Sequence, residues 1–395
     1  MERSLKILFV VNDLYTRGNG LAASARRTIM LLRERGHYVR VLSALPRDGD
    51  DCGVGMPEYV LPPLRIPLVD PLIASQGYSF ARAKRCEIER ALAWADVVHL
   101  EEPFYLQAVV ARYARRRGVP VVATYHIHPE NLTASVYLDR VVPLNRAILE
   151  LWKRAIFNRS DLVQCPSRSV YERVSKLRVR APLLLLSNGV PLGEGVCADG
   201  REVGESAVVR VLVVGRYSRE KDQATILRAL RHSAHARSIQ LTFAGRGPTE
   251  HSLRASARRL LRRGVIAHPV RFAFMSADEL AREASSCDLY VHAARIEVEG
   301  LSALEVLRHG VVPVIARGSL TATSQFALSE DSVLEAGDAR ALARAIDAWI
   351  DRGPAGRQRE ARRYRGIGER YDIRACVARL EEAYRRLVFG GKARG

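Results

Sequence analysis

Short β-branched runs alternate with longer helical patterns almost from end to end of this chain, and that alternation constrains the fold most. Strands joined through helices return to the same sheet as parallel neighbours, so the pattern predicts parallel sheets with helices on both faces. The first strand, residues 6–11, is a nearly unbroken apolar run, as burial on both faces requires. After the loop Gly18-Asn19-Gly20, residues 21–35 read as a helix with Ala22, Ala25, Ile29 and Leu32 on one face, and Gly36 stops it. Further strands are expected at 38–43, 96–100, 119–124, 162–165 and 183–186, with helices at 104–117 and 144–159.

The alternation breaks at residues 189–204, a stretch rich in glycine and charge and without period. It then restarts. Strands are expected at 208–214, 239–244, 270–274, 288–292 and 311–316. Helices are expected at 222–230, 249–261, 277–284, 301–309, 339–350 and 373–387. Two such runs predict an α/β chain of two doubly wound, Rossmann-like domains facing across a cleft: residues 1–190, a linker over 191–207, and residues 208–372. A length of 395 residues suits that count. Ligands of such sheets bind beyond the carboxyl ends of the strands, which directs attention to the residues just after each one.

No apolar run approaches the roughly 18 residues of a membrane span, and the first strand runs into Asn12-Asp13 without a cleavage pattern, so a cytoplasmic protein is expected. The net charge of +19 favours anionic partners such as phosphates and nucleotides. Only six of the 62 basic residues are lysine and they are spread along the chain, which reads as composition as much as a basic surface. That charge allows nucleic acid as well, but with aromatics at 7% and no zinc-finger or RNP-like spacing nothing specifies it, and no nucleic-acid partner is expected. The six cysteines form no CxxC pair and read as reduced, mostly core thiols, and no metal-ligand spacing stands out.

The strongest constellation runs from Glu297 to Glu305, with Gly300, Leu301 and Ser302 opening a helix. Free N–H groups at a helix start suit a diphosphate, and Gly300 lets the backbone come close. Glu305 would lie roughly 7 Å along the helix, near a ribose, with Glu297 on the other side of the phosphates. A solvated glutamate pair is the plainer reading. Arg216 and Lys221, in the turn leaving the 208–214 strand, could grip a diphosphate, or be an exposed turn. Gly245 opens the turn Gly245-Arg246-Gly247-Pro248. Gly18 and Gly20 form another phosphate-friendly turn, short of the GxGxxG fingerprint. His126 and His128 follow a strand, where a hydrogen-bonded structural histidine is the commoner case.

Four motifs stand in register: Ser187-Asn188-Gly189-Val190, Val214-Gly215-Arg216 with Glu220-Lys221, Phe243 to Pro248, and the Glu-x7-Glu segment running on to Ile315. Together they resemble the large retaining GT-B glycosyltransferase family called family 4, or group 1. The resemblance covers nearly the whole chain. It implies a final helix, 373–395, crossing back to the first domain. It implies Arg216 and Lys221 on the donor diphosphate, Glu297 on the donor sugar, Glu305 on the ribose, and Gly300, Leu301 and Ser302 at the phosphates. It also implies His126 reaching the transferred sugar and Gly18 and Gly20 closing over the phosphates, with Gly245 in the donor site. Two departures are present: Glu299 stands where members carry an aromatic, and Ala293-Ala294 replace Pro-Ser.

The expected activity is therefore sugar transfer, with retention and without metal or cofactor, from a nucleotide diphosphate sugar (UDP first, GDP next) to a glycan or lipid-linked acceptor. A non-catalytic sugar-nucleotide binder and an epimerase of the same fold are the alternatives. Asp48-Gly49-Asp50 resembles the DxD metal signature of another glycosyltransferase class, but its neighbours favour a surface turn. The stretch 144–157, with Trp152 and Phe157 beside Lys153 and Arg154, reads either as a core-facing stripe or as a peripheral contact with the inner face of an anionic membrane.

Overall fold

The structure, a computed structural model, describes residues 3–16, 18–46, 49–65, 78–191 and 208–390. The expected linker, apart from Pro191, lies outside the described residues, as do Asp48 and Cys197. Contacts divide the chain into two units, one of residues 1–189 with 373–395 and one of residues 190–372.

The first unit is built on seven parallel strands. Their order is Tyr59–Leu61, Tyr38–Ala44, Lys6–Val10, Val97–Leu100, Val121–Thr124, Leu162–Cys165 and Leu183–Leu185. Every residue of Ile7–Val10 is fully buried, because helices cover both faces. The helix Ile373–Phe389 belongs to this unit: Ile373, Val377, Leu380 and Tyr384 share a core with Leu5, Ile7, Phe9 and Ile29. Where the chain leaves, Gly189 has φ +73°, and a Cβ there would sit 2.5 Å from Ile373 Cα, so only glycine lets the two backbone segments touch.

The second unit carries six parallel strands in the order Arg271–Ala273, Ile239–Ala244, Val209–Val214, Leu289–His292, Val312–Arg317 and Val333–Glu335. Alternate strand residues feed two separate cores. Val211, Val213, Leu289 and Val291 pack in one, Leu212 and Tyr290 in the other. That alternation is the mark of a sheet wound on both faces.

The structure corrects several expectations. The helix expected over 144–159 spans Val142–Ala155, then a short 3-10 turn, Phe157–Arg159. Trp152 and Phe157 are buried, edge-on to Phe104 and stacked on Tyr125, so this bulky face is core and is not available to a membrane. The helix expected over 301–309 ends at Leu307. Cys165, Cys287 and Cys376 are buried, whereas Cys86 is exposed. Among the described residues, no helix is long and apolar enough to cross a membrane.

Candidate active site

The strand order of the second unit reverses between Val209–Val214 and Leu289–His292, the first of its strands laid down and the fourth. Loops leaving two such strands diverge and open a crevice at their carboxyl ends. Arg216 and Lys221 lie on one of these loops, Glu297 and Gly300 on the other.

The first loop is shaped by glycine. Gly215 and Gly245, each ending a neighbouring strand, have φ of +142° and +153°. A Cβ on Gly245 would sit 2.1 Å from Gly215 O, so these two turns pack backbone on backbone. Beyond them Arg216 Nη2 is 2.6 Å from Glu220 Oε1, and Gln223 Nε2 donates to the Arg216 carbonyl at 2.8 Å. Glu220 is buried and its carbonyl accepts from Arg295 N at 2.8 Å, which ties the first loop to the second.

On the second loop, Glu297 is fixed at both backbone ends. Its N–H donates to Leu320 O at 2.8 Å and its carbonyl accepts from Ala322 N at 2.9 Å. Its carboxylate is ion-paired with Lys221 Nζ, and His292 Nε2 stands 3.4 Å away. Burial raises the Glu297 pKa, but Lys221 and His292 outweigh it and hold the carboxyl at about 2. Three residues on, Gly300 has φ +93° and caps the helix Leu301–Leu307, where a Cβ would meet Thr323 Oγ1 at 2.7 Å. Leu301 and Ser302 open that helix, and Glu305 lies half-buried one turn further.

In the first unit, His126 Nε2 is 2.5 Å from Glu101 Oε2, and Glu101 is buried. His99 Nε2 lies 3.5 Å from the other Glu101 oxygen and 2.8 Å from Thr124 Oγ1, while His99 Nδ1 is 2.5 Å from Tyr384 Oη. Burial raises the Glu101 pKa, but the imidazoles of His126 and His99 carry it below the ordinary carboxylate range. Burial takes His99 down to about 4, which leaves it neutral. Gly18 is exposed with φ +79°. Asn19 Oδ1 accepts from Leu21 N at 3.1 Å, so Gly20 is the first helical residue rather than part of the turn. A Cβ at Gly20 would meet nothing within 4 Å.

Residues 18–194 match the family model Glycosyltransferase Family 4, and residues 205–367 match Glycosyl transferases group 1. The chain belongs to the family 4, group 1 glycosyltransferases. No curated protein matches it. Among solved structures, sucrose-phosphate synthase from Thermosynechococcus elongatus is similar at a TM-score of 0.72 and 17% identity over 98% of this chain and 99% of that one. HepE from Anabaena, in complex with UDP-glucose, is similar at a TM-score of 0.69 and 17% identity over 96% and 99%. A glycosyltransferase from Rickettsia africae is similar at 0.69 and 13% over 98% and 100%. At these identities the likeness carries the fold, which is GT-B.

Sequence reasoning missed three residues that shape this glycosyltransferase's polar centres. Glu220 was visible only as part of a motif, although it pairs with Arg216. Glu101 takes its meaning from His126 on another element, and His292 from Tyr290 and Glu297 close by in sequence, with no motif to mark either. Both departures from the family pattern are buried: Glu299 in the segment before Gly300, and Ala293 and Ala294 directly after His292.

Proposed function

We propose that this glycosyltransferase transfers a sugar, with retention at the anomeric carbon, from a nucleotide diphosphate sugar to a hydroxyl of a glycan or lipid-linked acceptor. The observation that carries the reading is the juxtaposition of Arg216, Lys221 and Glu297 at the switch point of the second sheet. Two cations there can neutralise the charge that develops on a departing diphosphate, with no demand for a metal ion. In this reading Glu297 takes hydroxyls of the donor sugar, Glu305 takes the ribose, and the backbone at Gly300, Leu301 and Ser302 takes the phosphates. Gly18, Gly20 and Gly245 frame the phosphates, and His126 is assigned to the transferred sugar on the family resemblance alone.

No group is assigned as an enzymic nucleophile. The acceptor then attacks from the face the leaving group vacates, and a phosphate oxygen takes its proton. A UDP-sugar is favoured as donor, with a GDP-sugar next. That HepE is known in complex with UDP-glucose supports the order.

A peripheral contact of the first unit with the inner face of an anionic membrane, bringing a lipid-linked acceptor, is the second reading. It is supported by the exposed side chains of Val136, Tyr137, Leu138, Val141, Val142 and Leu144, which run beside Arg140 and Arg146.

A thermal-shift series with UDP, GDP, ADP and their sugars tests the donor. A ligand at 100 times its dissociation constant stabilises by about 2.7 kcal/mol, a plain rise in Tm. Release of nucleoside diphosphate from the best donor, with the product's anomeric configuration read by NMR and a chelator present throughout, tests the chemistry. Binding without release would reduce the protein to a sugar-nucleotide binder, and an inverted product would overturn retention.

A further inference from the structure

His292 is a buried, titratable side chain with no part in the function proposed above. It ends the strand Leu289–His292, is 3% exposed, and lies between a tyrosine and a glutamate. Its Nδ1 is 2.9 Å from Tyr290 Oη. Its Nε2 lies 3.4 Å from Glu297 Oε2, a long contact short of a well-formed hydrogen bond, and is shut off from solvent.

Burial decides which nitrogen carries the proton. Tyr290 is fully buried, and burial keeps its phenol protonated, with Ser302 bonding to the phenol oxygen. A buried O–H needs an acceptor, and with the Ser302 hydroxyl donating to the phenol oxygen, His292 Nδ1 at 2.9 Å takes that part. Nδ1 therefore accepts, and burial holds the ring neutral against the pull of Glu297. The one ring proton sits on Nε2, facing the carboxylate.

A buried donor standing just short of a buried carboxylate is a costly arrangement to leave unmade. That oxygen is already taken: Lys221 is ion-paired with the same Oε2 that His292 Nε2 faces. Any diphosphate bound by Lys221 competes for that ammonium. Glu297 would then keep its burial and lose its cation, which drives a carboxyl toward protonation.

We propose, resting on the donor-site reading above, that His292 is a positioning residue that takes over Glu297 when a bound diphosphate draws Lys221 away. The relay Ser302–Tyr290–His292 fixes the ring so that Nε2–H closes onto the carboxylate. Glu297 thereby stays ionised and aimed while its lysine is engaged elsewhere.

The test needs only the intact protein and a nucleoside diphosphate, the tightest binder among UDP, GDP and ADP. Titration calorimetry at pH 6, in buffers of different ionisation enthalpy, counts protons taken up on binding. The groups whose charge or titration acts on Glu297 are Lys221, His292 and Tyr290, and the diphosphate's own protonation is common to all variants. His292→Leu is expected to take up more protons than the wild type, up to about one more. His292→Gln, whose amide can still donate, returns the count toward wild type. Adding Glu297→Gln to His292→Leu removes the excess and assigns the proton.

Equal uptake in the wild type, His292→Leu and His292→Gln overturns this inference and leaves the donor-site reading standing. A Lys221→Ala protein that binds the diphosphate as tightly as wild type overturns both. If His292→Leu does not fold, Tyr290→Phe, which leaves the ring in place but frees its tautomer, carries the same test at smaller amplitude.

Discussion

Lys221 and Glu297, 76 residues apart, form an ion pair between the loops that leave two adjacent strands of the second sheet. Arg216 is likewise paired, with Glu220. Both cations that we propose for the diphosphate are therefore held by carboxylates, and on that reading donor binding would exchange one anion for another.

Removing either cation should remove charge stabilisation at the leaving group. Lys221→Ala and Arg216→Ala are each expected to lower turnover of the donor about a hundredfold or more, as deleting a preorganised donor does. Steady-state release of nucleoside diphosphate measures it. Two variants with wild-type turnover would sink the site assignment.

Glu297 also makes acid stability diagnostic. Its carboxyl is held at about 2 against an ordinary 4.5, so its contribution is full above pH 4.5 and is lost as the pH falls toward 2. That contribution is about 3 kcal/mol by linkage. Urea unfolding at a series of pH values should show the gap between wild type and Glu297→Gln closing over this window. A constant gap would contradict the strongly depressed carboxyl.

Gly245→Ala places a Cβ 2.1 Å from the carbonyl oxygen of Gly215, at a φ of +153° that an alanine resists. The neighbour is backbone and cannot rotate away. A loss of about 2 kcal/mol or more is expected, since overpacking and positive-φ strain act together. Thermal unfolding checks it, and Gly20→Ala, which meets open space, is the control expected to stay near wild type.

His126→Ala separates binding from transfer. On the proposed reading His126 meets the sugar and not the nucleoside diphosphate, so affinity for the latter should stay within a factor of about two. Turnover should fall about tenfold, the worth of one lost hydrogen bond of about 1–1.5 kcal/mol. Equal losses in binding and turnover would mean that His126 serves the nucleotide.

The winding of both sheets was legible because parallel strands buried on both faces must be written as apolar runs separated by helical crossovers. Strand ends shifted by a residue or two. The strands Tyr59–Leu61 and Val333–Glu335 are too short to show a pattern. The helix Gly353–Arg365 escaped because it buries Arg357, Glu360 and Tyr364 rather than an apolar stripe. Trp152 and Phe157 show the limit of amphipathic reasoning, since a bulky face beside lysine and arginine reads alike whether it meets a core or a lipid. At the site, Arg216, Lys221 and Glu297 were legible through motif order. The ion pair between Lys221 and Glu297 was not, because it exists only once the two loops come together.

The helix Ile373–Phe389 closes the core that begins with Leu5 and Ile7, and this fixes the order in which the chain can mature on the ribosome. The unit made first is the unit finished last. Residues 190–372 are all synthesised before Ile373, so the second unit can complete its fold while the first still lacks a wall. Until Val377, Leu380 and Tyr384 emerge, the apolar residues they cover stay open to water and to other nascent chains. A chain cut short before residue 373 would therefore leave the first unit's core without the residues that close it.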